Sequence, residues 1–433
     1  MKKQEEFQEE YCFVKEVVKG RPVAIRRILF RCIGFLAGAV VFGVIAALVF
    51  VHFLPIFEKQ ASSDARVVFK ENPPKAQIEG QDVDEEEPNV QEKQNEKDVE
   101  KSQNVPSSDE QLLNAHELIF EQMNAIAMES MYCMVNVTGI SNEDEWFYMM
   151  SEDVKYASGV VIADHEESYY ILTKQHAVSD MDRIMVTFYD ESIADGHYIL
   201  HDVNTGLAVL KVDKNELDAE SKMQIKVATL GNSYQMQQGE SVIAIGSPMG
   251  YSNSIMHGQL TSTTSIASAY DKEYNLFVTD MLGSDDGSGI LINLSGEVIG
   301  VITQEFSKEN HKNVITCLPI SQLKSLITAL SNNEKIPYLG VKGQDVTDEI
   351  MKQTGMPKGI YVSDVNLDSP ALQSGIQKAD VITKYNGKPI ETMAQYSEHL
   401  SKEEPDDTVD ITVMRKGADG YVEFTFQVTL GSQ

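Results

Sequence analysis

A serine set between glycines and a histidine closing an apolar run have the types that a nucleophile and its base require. Ser288 stands between glycines in Thr279–Thr303 (TDMLGSDDGSGILINLSGEVIGVIT), and His176 lies near the end of the apolar run YYILTKQHAV, Tyr169–Val178. A serine hydroxyl attacks a carbonyl effectively when a histidine takes its proton and an acid holds that histidine in the right tautomer. His176 fits equally well as a core histidine behind a buried strand. No other chemistry has a pattern here. The nine histidines show no HExxH or Cys/His ligand spacing, no glycine-rich phosphate loop follows a strand, and Asn136 and Asn293 sit in glycosylation-like triplets too common to carry weight. No metal and no cofactor is implied.

The elements that must position these residues are strands. From Cys133 to about Leu330 the chain runs through short apolar segments (MVNV, SGVVIA, YYILT, IMVTFY, LAVLKV, SVIAIG, GILINL, VIGVIT) punctuated by Gly, Asn or Asp, which predicts an all-β barrel or sandwich. It closes with a helix at Ile320–Ser331. Beyond Pro337 a unit of mixed α+β pattern follows, with strands GIYVSDV, VITKYNG, VDITVMRK and VEFTFQVTL and helical stretches at Thr347–Thr354 and Met393–Leu400. Ahead of the strands, Asp109–Glu129 places Leu112, Leu113, Leu118, Ile119, Met123 and Ile126 near helical spacing.

The N-terminal quarter is of another kind. Cys32–Leu54 is 23 residues without Asp, Glu, Lys or Arg, enough to span ~30 Å of hydrocarbon as a helix and longer than the ~7–15 apolar residues of a signal peptide. Lys15, Lys19, Arg21, Arg26, Arg27 and Arg31 precede it and an acidic stretch follows, so the positive-inside rule puts the N-terminus in the cytoplasm and the rest outside. Residues 58–110 are charged and poor in large apolar side chains, which predicts a disordered spacer. The expected organisation is a basic tail (1–31), a transmembrane helix (32–55), an acidic stalk (56–108), a helix with the β domain (109–335) and the C-terminal unit (336–433). A net charge of −30 and a pI near 4.6 argue against a nucleic-acid partner. Of the four cysteines only Cys133 and Cys317 fall outside the membrane side; they fit two separate buried thiols somewhat better than a disulfide.

The phrases SGVVIA (Ser158–Ala163), YYILTKQHAV, NTGLAVLKV (Asn204–Val212), VIAIGSPMGYSNSIMHGQLTS (Val242–Ser262) and VTDMLGSDDGSGILINLSGEVIGVIT (Val278–Thr303) occur in the order and spacing of the HtrA/DegP family. With YLGV (Tyr338–Val341) and KGIYVSDVNLDSPALQSGIQKADVITKYNGKPI (Lys358–Ile390), the resemblance to these trypsin-like proteases with C-terminal PDZ domains covers residues 115–431. It implies a mainly β fold: a trypsin-like double β-barrel plus an α+β PDZ domain. It also implies serine-type endopeptidase chemistry through His176 and Ser288. The chain departs from the family at the acid, where TDLAVL is replaced by TGLAVL with Gly206, and Asp202 is the one nearby substitute. It departs again at the nucleophile loop, which is one residue short. Counting seven residues forward from Thr279–Asp280 lands on Ser288; counting back from Leu291–Ile292–Asn293 puts Gly287 at the serine and Ile290 at a proline. A slip of one residue turns a strand side chain to the opposite face. Asp285 and Asp286 place negative charge where an oxyanion would develop.

The PDZ resemblance implies that Tyr338, Leu339, Gly340 and Val341 hold a peptide's C-terminal carboxylate on backbone N–H groups. The family's KxGDxI here reads QKADVI, with Ala379 at a turn glycine. The resulting expectation is a single-pass protein of a bacterial cytoplasmic membrane. It is catalytically impaired, binds C-terminal or unfolded peptide segments in extracytoplasmic protein quality control, and forms the homotrimer that the resemblance implies. An active endopeptidase using Ser288 and His176 is the alternative.

Overall fold

The computed structural model describes residues 66–69, 108–141, 154–306 and 313–432. The expected basic tail, transmembrane helix and most of the acidic stalk lie outside these residues. Among the described residues no helix is long and apolar enough to cross a membrane. The chain divides into Met1–Arg66 and Val67–Gln433, and all that follows concerns the second unit.

Helix α1 (Ser108–Ser130) leads into β1 (Met134–Ile140), β2 (Val154–His165), β3 (Ser168–Lys174), β4 (Arg183–Phe188), β5 (Ile193–Asp202) and β6 (Leu207–Asp213). These six close a barrel in the order β1-β2-β3-β6-β5-β4. After the short helix α2 (Ala219–Gln224), a second barrel is built from β7 (Ser241–Ser247), β8 (Ser254–Ala269), β9 (Lys272–Leu282), β10 (Ser288–Ile292), β11 (Val298–Ile302) and β12 (Val314–Pro319), in the order β10-β11-β12-β9-β8-β7. Strand periodicity explains the core. In β7, Val242 and Ala244 fill the second barrel, while the alternate Ile243 and Ile245 join Val160, Leu172 and Val209 of the first barrel in a cluster between the two. Strands β10 and β11 are buried along their full length, which is why their sequences are continuous apolar runs. Helix α3 (Ile320–Ser331) seals the junction with Ile320, Leu323, Ile327 and Leu330, spaced three and four apart.

The PDZ-like unit comprises β13 (Pro337–Tyr338), β14 (Val341–Asp345), α4 (Asp348–Thr354), β15 (Ile360–Val365), α5 (Pro370–Ser374), β16 (Val381–Tyr385), β17 (Lys388–Pro389), α6 (Met393–Leu400), β18 (Thr408–Gly417), β19 (Gly420–Thr429) and β20 (Gly431–Ser432). Its main sheet runs β14-β15-β16-β18-β19, so β14 is an edge strand. Helix α4 starts on the Thr347 hydroxyl and ends at Gly355 (φ +68°), the left-handed stop that favours glycine.

One expectation needs correction. Within the segment read as a disordered spacer, Val67 is buried and exchanges hydrogen bonds with the Asn332 side chain, and the Phe69 N–H donates to Thr328 Oγ1. The stretch VVF is a local apolar cluster inside an acidic run, and α3 offers it a surface on which to bury. Cys133 and Cys317 are separate, buried thiols, the first pushed up to about 12 by burial.

Candidate functional site

His176 sits in a one-turn helix, Gln175–Ala177, directly after β3; the Gln175 N–H donates to the Gly206 carbonyl at 2.8 Å and pins this turn to the β5–β6 connection. Its Nε2 donates to the Tyr156 carbonyl at 3.2 Å. A carbonyl can only accept, so the nitrogen that would take a serine proton already carries hydrogen in this arrangement. Although His176 is exposed at the surface, partial desolvation lowers the imidazole pKa, opposed by the Tyr156 carbonyl; Lys174 lowers it further while Asp286 and Glu305 raise it.

No acid orients the ring from the β5–β6 turn. Gly206 adopts φ +64°, and a Cβ placed there would lie 3.3 Å from Glu305 Oε1, so this glutamate fills the space beside it. Asp202 is spent on its own turn, its Oδ2 accepting from the Thr205 N–H at 2.8 Å and the Thr205 hydroxyl at 2.6 Å. Lys174, at the end of β3, is buried beside these groups. Burial lowers its pKa, and Glu305 and Asp286 hold it up.

Ser288 is the first residue of β10, paired with Ser247 of β7 and only 1% exposed. Its Oγ accepts from the Ser158 N–H at 2.9 Å, and the Ser158 hydroxyl donates to Ser247 Oγ at 3.0 Å. His176 and Ser288 are therefore tied to one strand, β2, at positions two residues apart, each through the backbone and not to one another. Gly287, the other match to the nucleophile, donates its N–H to the Ser284 carbonyl at 2.9 Å and closes the turn Ser284–Gly287. A Cβ on Gly287 would come within 2.5 Å of the Pro248 carbonyl oxygen, so a side chain there requires the loop to move. The amide that would stabilise an oxyanion is thus used inside the turn, with Asp285 and Asp286 exposed at its apex.

The second site is at the mouth of the PDZ-like unit. Tyr338–Val341 turns through Gly340 (φ +91°), where a Cβ would collide with Ser369 Cβ at 2.2 Å. Leu339 and Val341 are fully buried, worth about 1.5–3 kcal/mol each, which fixes the loop backbone. The N–H groups of Leu339, Gly340 and Val341 all point at one carboxylate. It belongs to Asp271, at the tip of the β8–β9 hairpin: Oδ2 accepts from Leu339 at 2.8 Å and Gly340 at 2.7 Å, and Oδ1 from Val341 at 3.0 Å and from the Tyr396 hydroxyl at 2.7 Å. Burial raises the Asp271 carboxyl pKa, and these four hydrogen bonds oppose the rise.

Sequence reasoning missed Lys174, Glu305, Asp271 and Tyr396. Lys174 had a signal, a charge ending a buried strand where the family has asparagine. Asp271 had none, because an aspartate in a hairpin turn is ordinary.

Comparison with known proteins agrees with both units. Residues 157–301 match the trypsin-like peptidase domain and residues 337–425 the PDZ domain. The chain is 32% identical over 279 residues to the serine protease Do-like HtrB of Bacillus subtilis, covering 60% of this chain and 59% of that protein. It is 27% identical to the serine protease Do-like HtrA of Lactobacillus helveticus, covering 62% and 67%, and 31% identical to a DegP-like periplasmic serine endoprotease of Pseudomonas fulva, covering 60% and 53%. It thus spans 53% to 67% of the lengths of these relatives. Among solved structures, the HtrA-type protease AlgW with decapeptide aligns with a TM-score of 0.51 at 21% identity, over 72% of this chain and 98% of that one. The serine endoprotease from Yersinia pestis aligns with 0.51 at 22%, over 76% and 100%. Two six-stranded barrels followed by a PDZ unit, with these similarities, give the chain a trypsin-like peptidase domain and a PDZ domain in the order found in the HtrA/DegP serine proteases it resembles.

Proposed function

We propose that this chain is a membrane-anchored, catalytically impaired HtrA/DegP-like receptor that takes C-terminal or unfolded peptide segments in extracytoplasmic protein quality control. The observation that carries the reading is the seat at Leu339–Val341, where three backbone N–H groups converge on a carboxylate. Backbone donors of this kind recognise a peptide's terminal carboxylate whatever the neighbouring side chains are. Impaired catalysis is supported by the missing acid at Gly206, the Ser288 hydroxyl held on Ser158 and the Gly287 amide held in its own turn. The apolar stretch Cys32–Leu54 supports the anchor, and the periplasmic description of a relative supports the outer location. Helix α1 exposes Leu118, Ile119 and Phe120, which favours self-association such as the homotrimer.

The test uses the full-length chain in lipid nanodiscs. Fluorescent peptides ending in a free carboxylate should bind, and the same peptides with a C-terminal amide should not. A fluorophosphonate probe should leave the protein unlabelled and casein should stay intact. Labelling abolished by both Ser288→Ala and His176→Ala would establish the alternative, an active endopeptidase.

A further inference from the structure

Control of the peptide site, given the peptide-binding function proposed above, is built into the same seat. The carboxylate in the seat comes from this chain's own trypsin-like domain. Asp271 meets the PDZ-like unit much as the last residue of a bound peptide would. Its carboxylate takes the three loop N–H groups and the Tyr396 hydroxyl. Its own N–H donates to the Val341 carbonyl at 2.7 Å, the first rung of a strand laid on the β14 edge. Its carbonyl accepts from Ser397 Oγ of α6 at 2.6 Å, so the hairpin tip is held from both sides, by β14 and by α6. The neighbouring Tyr270 hydroxyl donates to Asp364 Oδ2 at 3.2 Å and adds a second tie.

The fit goes beyond filler. Asp271 is 7% exposed, and both carboxylate oxygens have two donors each, as a buried carboxylate requires. It also holds φ +61°, a conformation that aspartate tolerates better than most residues, so the turn presents the carboxylate at the cost of some backbone strain. A peptide's terminal carboxylate needs the same three N–H groups and cannot share them.

We propose that Asp271 is an intramolecular ligand that latches the PDZ carboxylate seat, and that a C-terminal peptide enters only when the β8–β9 tip is released. A competing internal ligand multiplies the peptide's affinity by the fraction of molecules that are open. A latch closed in 90–99% of molecules therefore weakens binding by about 10- to 100-fold.

The experiment compares affinities of one free-carboxylate peptide series for the full-length parent, Asp271→Gly and Asp271→Asn. Glycine accepts the left-handed backbone and removes the carboxylate; asparagine keeps the turn but turns an N–H₂ donor toward N–H donors. Hydrogen exchange of Tyr270–Lys272 in the parent, with and without peptide, reads the same event without a mutation. The expected result is tighter binding by both variants, by at least tenfold, and faster exchange at the hairpin tip when peptide binds the parent. Equal affinities, with exchange at the tip unchanged by peptide, would overturn the latch and leave the peptide-binding reading standing. Absence of binding by the parent and both variants would overturn that reading and the latch with it.

Discussion

Replacing Ser288 by alanine distinguishes a structural hydroxyl from a catalytic one, because only the structural role predicts a loss of stability. Here Ser288 Oγ is the acceptor for the Ser158 N–H, and both residues are buried, at 1% and 4% exposure. Alanine keeps the Cβ and the strand, but leaves a buried amide donor without its partner. That loss costs about 1–3 kcal/mol. At about 2–4 °C per kcal/mol for a domain of 150–250 residues, the melting temperature should fall by several degrees. Urea unfolding of parent and variant, followed by circular dichroism, should give a lower midpoint with an unchanged slope. A catalytic serine would behave otherwise, since its hydroxyl would face a cleft and its removal would change stability by no more than about 0.5 kcal/mol. Stability of Ser288→Ala within that margin, or a gain, would refute the placement of Ser288 in the junction between the barrels.

Three further outcomes follow from the same structure. Ala379 adopts φ +74° where the family has glycine, so Ala379→Gly should raise unfolding stability by about 1 kcal/mol, read from the denaturant midpoint. Asp380 is buried and chelated by Arg415 at 2.7 and 2.8 Å, so Arg415→Met should cost about 3 kcal/mol by stranding its charge, while Lys402→Met on the exposed Glu398 pair should leave the unfolding midpoint close to that of the parent. The imidazole of His176, though exposed at the surface, should titrate in NMR below its ordinary value, because partial desolvation disfavours the cation. As pH falls below about 6.5 the unfolded state takes that proton first, so this residue's contribution to stability should decline on acidification, and His176→Gln should flatten that part of the curve.

Much of the architecture was legible without coordinates. Short, nearly continuous apolar runs announced the barrel strands, since one face must fill a barrel interior and the other the junction, as Val242 to Ile245 do. The docking of Val67 and Phe69 on α3 was not legible, because three apolar residues in an acidic run bury themselves only where another element happens to offer a surface. Lys174 and Glu305 were hidden for a related reason: their charges matter through neighbours brought in from β3 and the segment after β11.

The sequence by itself determined what is chemically missing. A glycine at 206 has no carboxylate in any fold, and a loop short by one residue cannot satisfy both of its anchors. Only the tertiary structure decided where the remaining groups point. Strand pairing assigns Ser288 to the first rung of β10, and long-range folding brings Asp271 to amides 68 to 70 positions further along the chain. Both are contacts between distant segments, formed because burial demands a partner for every polar group, and local pattern carries no record of which partner that will be.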